Sequence, residues 1–454
     1  MNLSLDSLRN DAVNIFQAGI TAADPYQAVK KHLSWENDNL VIALDSNDDS
    51  KKRSVNSNKI HIIAFGKAAC SMAQAATEIV PATHLANTPL AVTNYDNEKA
   101  LDNIKVIAAG HPIPDLSGLQ AAKQITQQLI HTKADEMVLV LISGGGSALI
   151  PYPAEGITLE DKQATTDLLL ASGASINQIN AVRKHLSRLK GGQLAKLAAP
   201  AELHALILSD VLGDELSAIA SGPTVADNST FADAINILKS KNIWNKAPLA
   251  VQTLLEKGQQ GEINETPKFD APCFETTAQT LIGSNSISVN AINKAAKSLN
   301  YVTEIFSSNL SGEASEVAEQ LVLHAQTQLT DGLSKPTAIL AGGETTVTIK
   351  GTGKGGRNQE MALAFAIAAE NHELKGSWTF LSGGTDGRDG PTDAAGGIVD
   401  SDSIRRLKNK KISPEQKLTN NDSYSALKES KDLVMTGATG TNVADLQVLL
   451  IQAE

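Results

Sequence analysis

Residues 137–148 read MVLVLISGGGSA. Six apolar residues in a row describe a strand buried on both faces, because a half-buried strand would alternate apolar and polar positions. The run stops at Ser143, and three glycines precede Ser147. Backbone without Cβ atoms lets several N–H groups converge on one anion. Ser143, Gly144, Gly145, Gly146 and Ser147 are therefore expected to hold phosphate oxygens; the simpler alternative is a tight turn into a helix. The same grammar of strand, glycine turn and helix recurs along the chain. HIIAF precedes Gly66-Lys67, IKVIAA precedes Gly110, and LHALIL precedes Ser209-Asp210. TLI precedes Gly283-Ser284-Asn285, TAILA precedes Gly342-Gly343-Glu344, and WTFL precedes SGGTDG at 382–387. Buried strands alternating with helices predict an α/β fold with a parallel sheet covered on both faces. Such sheets bind ligands outside the carboxyl ends of their strands.

The chain has 454 residues, long enough for two domains, and ordinary globular proportions of 42% hydrophobic and 20% charged residues. A net charge of −11 disfavours nonspecific binding to nucleic acid. Cys70 and Cys273 are the two cysteines and lack CxxC spacing, which fits a reducing compartment with buried thiols. The amino terminus has no signal-peptide pattern, and MVLVLI and ALAFAIAA are too short to cross a membrane. A cytoplasmic location is expected. Residues 5–44 read as helices, and the polar stretch 45–58 as a surface loop without function. Residues 227–280 carry no glycine turn of the recurring type, so a domain boundary is placed near residue 245, giving domains 1–245 and 246–454.

Charged residues beside these turns are the candidates for chemistry. Lys67 ends a buried strand, where an ammonium group needs an anionic partner or else open solvent. Arg357 and Lys354 lie in GTGKGGRNQE. Gly351, Gly353 and Gly356 formally match GxGxxG, but the preceding TTVTIK is amphipathic and no acidic residue is well placed about twenty positions later. The loop instead offers two cations at a helix entrance, Arg357 being able to grip phosphate or carboxylate with two parallel bonds. Arg183, Lys184, Arg188 and Lys190 suggest a basic stripe on one helix, facing either an anion or solvent. Asp210 and Asp214 in SDVLGD, with Asp386, Asp389 and Asp393 in GGTDGRDGPTD, are the candidates for Mg²⁺, which takes one or two carboxylates plus phosphate oxygens and water. One of them could instead act as a general base. Glu344 and Glu313 are weaker candidates. His111, in GHPIPD, is either a structural hydrogen-bonder or a catalyst, and Asp115 is expected to cap a helix. No GxxxxGK[ST] and no GxSxG is present, which disfavours a P-loop kinase and a serine hydrolase.

The segments HPIPDLSGLQAAKQI, LISGGGSALIPYP, INAVRKHLSRLKGGQLA, LILSDVLGDELSAIASGPTV, GGETTVTIKGTGKGGRNQEMALA, SGGTDGRDGPTDAAGGIVD and TGATGTNVADLQVLLI closely resemble the glycerate 2-kinase family, whose members carry a carboxyl-terminal MOFRL domain and are often labelled hydroxypyruvate reductase. The likeness runs from about residue 7 to 450, with Ala438 standing where many relatives have proline. It implies a Rossmann-like amino-terminal domain, a second α/β domain with the MOFRL region at about 335–450, and an active site in the interdomain cleft. It implies ATP- and metal-dependent phosphorylation of D-glycerate to 2-phosphoglycerate. Lys67 in GKAA and Arg357 in GGRNQ match the family's proposed active-site lysine and arginine. With Asp210 they form the expected catalytic set. Ser143–Ser147, Gly283, Ser284, Asn285, Gly353, Lys354 and Gly356 are expected at the nucleotide, and Asp210, Asp386 and Asp389 at the Mg²⁺. A monomer or homodimer is expected. Two other readings stand beside it: an NAD(P)H-dependent hydroxypyruvate reductase and a noncatalytic sensor of sugar acids.

Overall fold

A computed structural model describes residues 3–45, 48, 50–333 and 335–452. The chain forms two compact units. One is continuous, Pro25–Ile282; the other joins Met1–Asp24 to Gly283–Glu454. The division thus differs from a boundary near 245. The reason lies in long-range packing. The helix Leu249–Gln259, beyond the expected boundary, shares a core with the helices Ile176–His185 and Phe231–Ser240, which precede it, through Val251, Val182, Phe231 and Leu238. The first helix of the chain meanwhile packs against the helix Asn285–Ser298.

In the continuous unit, β1 (Leu33–Glu36), β2 (Asn39–Ala43) and β3 (Lys52–Val55) form a small antiparallel sheet. Residues 33–43 are therefore not helical, and part of the polar stretch 45–58 is the edge strand β3; its residues 46, 47 and 49 lie outside the described residues. Its lysine, arginine and serine suit a solvent-facing edge, which hid the strand from a hydrophobicity reading. The main sheet contains β4 (Lys59–Phe65), β5 (Leu90–Asn94), β6 (Lys105–Ala109), β7 (Glu136–Ile142), β8 (Glu202–Leu208) and β9 (Thr277–Gly283), in the order β6-β5-β4-β7-β8-β9. The pairs among β4 to β8 are all parallel. This is the strand order of the doubly wound dinucleotide-binding folds, with the change of winding direction between β4 and β7. β7 is buried over Met137–Ile142, as its unbroken apolar run predicts.

The other unit is built on β10 (Val302–Leu310), β11 (Thr337–Gly343), β12 (Ser377–Gly384), β13 (Gly396–Asp400), β14 (Leu433–Val434) and β15 (Asp445–Gln452), in the order β10-β11-β15-β12-β13-β14. This sheet is mixed rather than parallel. Only β10 and β11 run together, because β15 inserts antiparallel between β11 and β12. One face is covered by the helices Ala314–Asp331 and Arg357–Asn371, with Phe365 stacked on Phe380 at 4.3 Å between ring centres. The other face is covered by Asn285–Ser298 and the first helix, Leu5–Ala22.

That first helix follows from its sequence. Ser4 accepts a bond from Ser7 N, Asp6 sits in the first turn, and Leu8, Ala12, Ile15, Phe16 and Ile20 fall on one face and are buried. Its polar side is anchored by a four-residue ionic group. Arg9 and Arg406 both bind the carboxylates of Asp400 and Asp432, which are 2% and 0% exposed. Burial pushes the Asp400 carboxyl up, yet the bonds from Arg406 and the Asp402 N–H, together with Arg9, hold it below its ordinary range. No helix among the described residues is long and apolar enough to cross a membrane. Removing one member of a buried ionic group strands the others. Asp400→Ala is therefore expected to lower the unfolding free energy by about 3 kcal/mol or more in urea titrations. A loss below about 1 kcal/mol would show that Arg9 and Arg406 are solvated without it.

Candidate functional site

The glycine loop after β7 and the lysine turn after β4 are one structure. Ser143 N donates to Phe65 O at 3.0 Å, Lys67 N donates to Gly144 O at 2.8 Å, and Ala68 N donates to Ser143 Oγ at 3.0 Å. Gly66 has φ +125°, and a Cβ there would lie 2.1 Å from Ser143 Oγ and 2.4 Å from Ser143 O. No other residue can occupy this position without separating the two strand ends. Lys67 is thereby fixed beside the loop: a Cβ on Gly145 would come within 3.3 Å of Lys67 Cγ and 3.0 Å of His111 Cδ2. On the other side a Cβ on Gly144 would lie 2.2 Å from Asp210 Oδ2. Residues following β4, β6 and β8 thus converge on the loop that follows β7. Among the described residues no main-chain acceptor takes the N–H groups of Gly144 and Gly145.

The electrostatics of the group follow from its burial. Burial and the charge of Lys67 lower the His111 imidazolium below its ordinary value of 6.5, so His111 is neutral at pH 7. Burial raises the Asp210 carboxyl, while its own main-chain bond and Lys67 pull it back. A cation, a neutral imidazole and a desolvated carboxylate therefore surround a ring of small residues. Ser147, at the far end of the loop, accepts from Lys190 Nζ through its carbonyl at 2.6 Å and its hydroxyl at 2.8 Å. Lys190 does not share a helical stripe with Arg183, because the helix Ile176–His185 ends first and the chain turns inward. Lys184 is also buried, paired with Asp227 at 3.3 Å, and the Arg188 guanidinium lies over the Tyr152 ring at 5.0 Å. The expected basic stripe is thus four cations with four different surroundings. Asp115 does cap its helix, accepting from Gly118 N at 2.9 Å.

In the other unit, Arg357 opens the helix Arg357–Asn371 and is gripped by Asp445 through two bonds, Nε at 2.6 Å and Nη2 at 2.9 Å. Glu344 holds Nη1 at 2.7 Å. Burial opposes the charge of Arg357, but Asp445 and Glu344 outweigh it and keep the guanidinium protonated at any accessible pH. Asp445 is fully buried, and it pairs in register with Gly343 of β11 and Gly384 of β12. Sequence reasoning missed it. Its one signal was an aspartate opening the apolar strand DLQVLLI.

Other expected nucleotide and metal residues in this unit have partners of their own. Asp389 accepts from Asn358 N, Gln359 N and Gln359 Nε2, so its carboxylate caps the helix that Arg357 begins and is not open as a metal ligand. Asp393 is exposed and accepts from the Tyr424 hydroxyl, and Asp386 is partly exposed with Arg388 N on Oδ1. The loop 351–356 spends its N–H groups internally: Gly351, Thr352, Gly353 and Lys354 donate to Asn421, Asn420, Asn420 and Asp422. Its glycines are explained by that contact, since a Cβ on Gly353 would lie 2.4 Å from Asp422 Cβ and one on Gly356 2.3 Å from Asp389 Cγ. The N–H groups of Gly353 and Lys354 are thus committed to residues 420 and 422, and Lys354 Nζ lies over the Tyr424 ring at 4.7 Å. Gly283 ends β9, Ser284 caps the next helix, and Asn285 donates to Val443 O and Asp445 O. Both side chains are buried and bound to the fold. Among the described residues no group of three or more His, Cys, Asp or Glu is arranged to hold a metal.

Residues 11–256 match the family model described as a domain of unknown function, DUF4147, and residues 337–445 match the MOFRL family. The chain is 42% identical to a protein named glycerate 2-kinase from Pyrococcus horikoshii, over 98% of each. It is 38% identical to a putative hydroxypyruvate reductase from Agrobacterium vitis, over 98% of this chain and 95% of that one. The crystal structure of a glycerate kinase from Thermotoga maritima superposes with a TM-score of 0.86 at 39% identity, covering 98% of this chain and 100% of that one. These matches span both units, and the chain belongs to the family of glycerate 2-kinases that combine a DUF4147 domain with a MOFRL region.

Proposed function

We propose that this protein transfers the γ-phosphoryl group of ATP to the 2-hydroxyl of D-glycerate, giving 2-phosphoglycerate and ADP. The observation that carries the reading is the convergence of Lys67, His111 and Asp210, at strand carboxyl ends, on a glycine loop whose Gly144 and Gly145 N–H groups have no main-chain acceptor among the described residues, in a member of this family. Phosphoryl transfer needs alignment and charge stabilisation more than covalent chemistry. The loop N–H groups and Lys67 hold phosphate oxygens. His111, neutral and beside both, accepts the proton that the glycerate hydroxyl releases. Arg357, oriented by Asp445 in its own unit, is a permanent cation and matches the family's proposed active-site arginine.

Mg²⁺ is compatible with the residues present, because it takes one or two carboxylates and completes its shell with phosphate oxygens and water. Asp210, buried next to Gly144, fits as that carboxylate, with Asp386 as the partly exposed alternative. When bound, the ion neutralises charge on the phosphates. A reductase would need a nicotinamide site. The first turn of the doubly wound sheet carries Gly66-Lys67-Ala68-Ala69 where dinucleotide folds carry their glycine fingerprint, and the GxGxxG at 351–356 has committed its donors elsewhere. The buried free thiols Cys70 and Cys273 accord with a cytoplasmic enzyme.

With glycerate and MgATP, ³¹P NMR is expected to show ADP and a phosphomonoester on the 2-position. Lys67→Ala and Arg357→Ala are each expected to lower turnover about 100-fold or more with circular dichroism unchanged. NADH oxidation by hydroxypyruvate without ADP release from glycerate would reject the kinase reading. The His111 assignment has its own signature. The neutral form is the active base, so kcat/KM is expected to rise with pH through a limb centred below 6.5. His111→Gln should abolish that limb and lower kcat about 100-fold. A limb unchanged in the variant would place the proton acceptor elsewhere.

A further inference from the structure

Next to Ser147 lies a group of cations that the phosphate-binding turn does not use. Lys162, on the helix Leu159–Ala171, is 7% exposed, and its Nζ has no hydrogen-bond partner among the described residues. Lys190 is 1% exposed, and its Nζ meets only the carbonyl and hydroxyl of Ser147. Arg183 is half-buried and close enough for its charge to disfavour protonation of both lysines, and the charge of Lys162 adds to the effect on Lys190. Among the described residues no carboxylate offsets any of the three. The contrast with Lys184, one residue beyond Arg183 and paired with Asp227, is direct: the fold supplies a counter-charge there and withholds it here.

Burial disfavours the ammonium forms of both lysines, and an anion supplied from outside restores them, so the group is one that an anionic ligand stabilises. The surroundings are those of a built site. Ser147 Oγ lies 2.9 Å from Ser221 Oγ, which lies 2.9 Å from Asn180 Oδ1. Ser221 and its neighbour Ala220 are both held at positive φ, +61° and +50°, a strained backbone for residues with a Cβ. Gln163, next to Lys162, donates to Pro114 O at 2.6 Å and so ties this helix to the loop that carries His111.

We propose that Lys162, Arg183 and Lys190 form an oxyanion subsite at the Ser147 end of the glycine loop, and that it takes the carboxylate of the acceptor substrate. The assignment rests on the kinase reading. Within this unit Lys67 and the loop serve the phosphates, so the small acid's carboxylate is the anion still lacking a cation.

Lys162→Met and Arg183→Gln test it on the whole protein, with glycerate, MgADP and inorganic phosphate as probes. Each variant is expected to raise KM for glycerate about tenfold or more, as loss of a charge-assisted bond does, and to leave KM for ATP within about twofold. The ligand-free Lys162→Met protein should melt no lower than wild type, since it loses a buried amine that has no hydrogen-bond partner among the described residues. Glycerate should raise the wild-type melting temperature and not that of the variants, whereas MgADP should raise both. Unchanged KM for glycerate with a lower melting temperature would make the cluster structural and overturn the proposal. A change confined to KM for ATP, or loss of the shift with phosphate and MgADP but not with glycerate, would assign the cations to phosphate and overturn the carboxylate assignment. The melting measurements need no turnover, so they decide the subsite even if the wild-type protein releases no ADP.

Discussion

The backbone of Gly66 touches the backbone of Ser143, and that contact governs the candidate site. β4 and β7 are neighbours in register from Lys59↔Glu136 to Phe65↔Ile142, and each leaves the sheet by a turn containing glycine. Three hydrogen bonds join the two turns and place Lys67 against the glycine loop. A methyl group on Gly66 would be driven into Ser143. Had the turns been separated, the lysine would be an ordinary solvated cation at a helix entrance. Joined to the loop, it stands with His111 and Asp210 around the Gly144 and Gly145 N–H groups, which no main-chain acceptor among the described residues takes.

The distribution of charge follows the same logic. Several buried or half-buried cations in this acidic chain have a carboxylate assigned to them: Arg9 and Arg406 share Asp400 and Asp432, Lys184 has Asp227, and Arg357 has Asp445 and Glu344. Those pairs hold helices and strands in place or aim a guanidinium. Lys162, Arg183 and Lys190 break the pattern beside the glycine loop. Proteins that bind anions while carrying net negative charge must concentrate positive potential locally, and the carboxyl end of this sheet is where it accumulates.

What could be read from the sequence depended on the range of the interaction concerned. The strands with unbroken apolar runs, the glycine turns and the anomalous lysine after HIIAF are local signals, and the parallel sheet of β4 to β8 and the place of Lys67 at a strand end follow from them, whereas the Rossmann-like winding was implied by the family resemblance. Arg357 was legible as a cation at a helix entrance. Its partner Asp445 was not, because it lies 88 positions away on a strand whose antiparallel insertion between β11 and β12 no local pattern announces. The same range effect hid the attachment of Leu5–Ala22 to the unit formed by the end of the chain. The loop 351–356 misled in the opposite sense: glycines that resemble a phosphate loop are there because residues 420–422 and Asp389 press against them. The basic run 183–190 misled because a helix-face reading assumes a helix that continues, and this one stops at His185.

The central claim is that the Gly66–Ser143 junction holds the phosphates of the donor. A crystal structure with MgATP in a nonhydrolysable form and glycerate tests it most directly. The expected result is a terminal phosphate within hydrogen-bond distance of Lys67 Nζ and of the Gly144 or Gly145 N–H. A nucleotide whose phosphates lie away from that loop, with Lys67 left in solvent, would contradict the account.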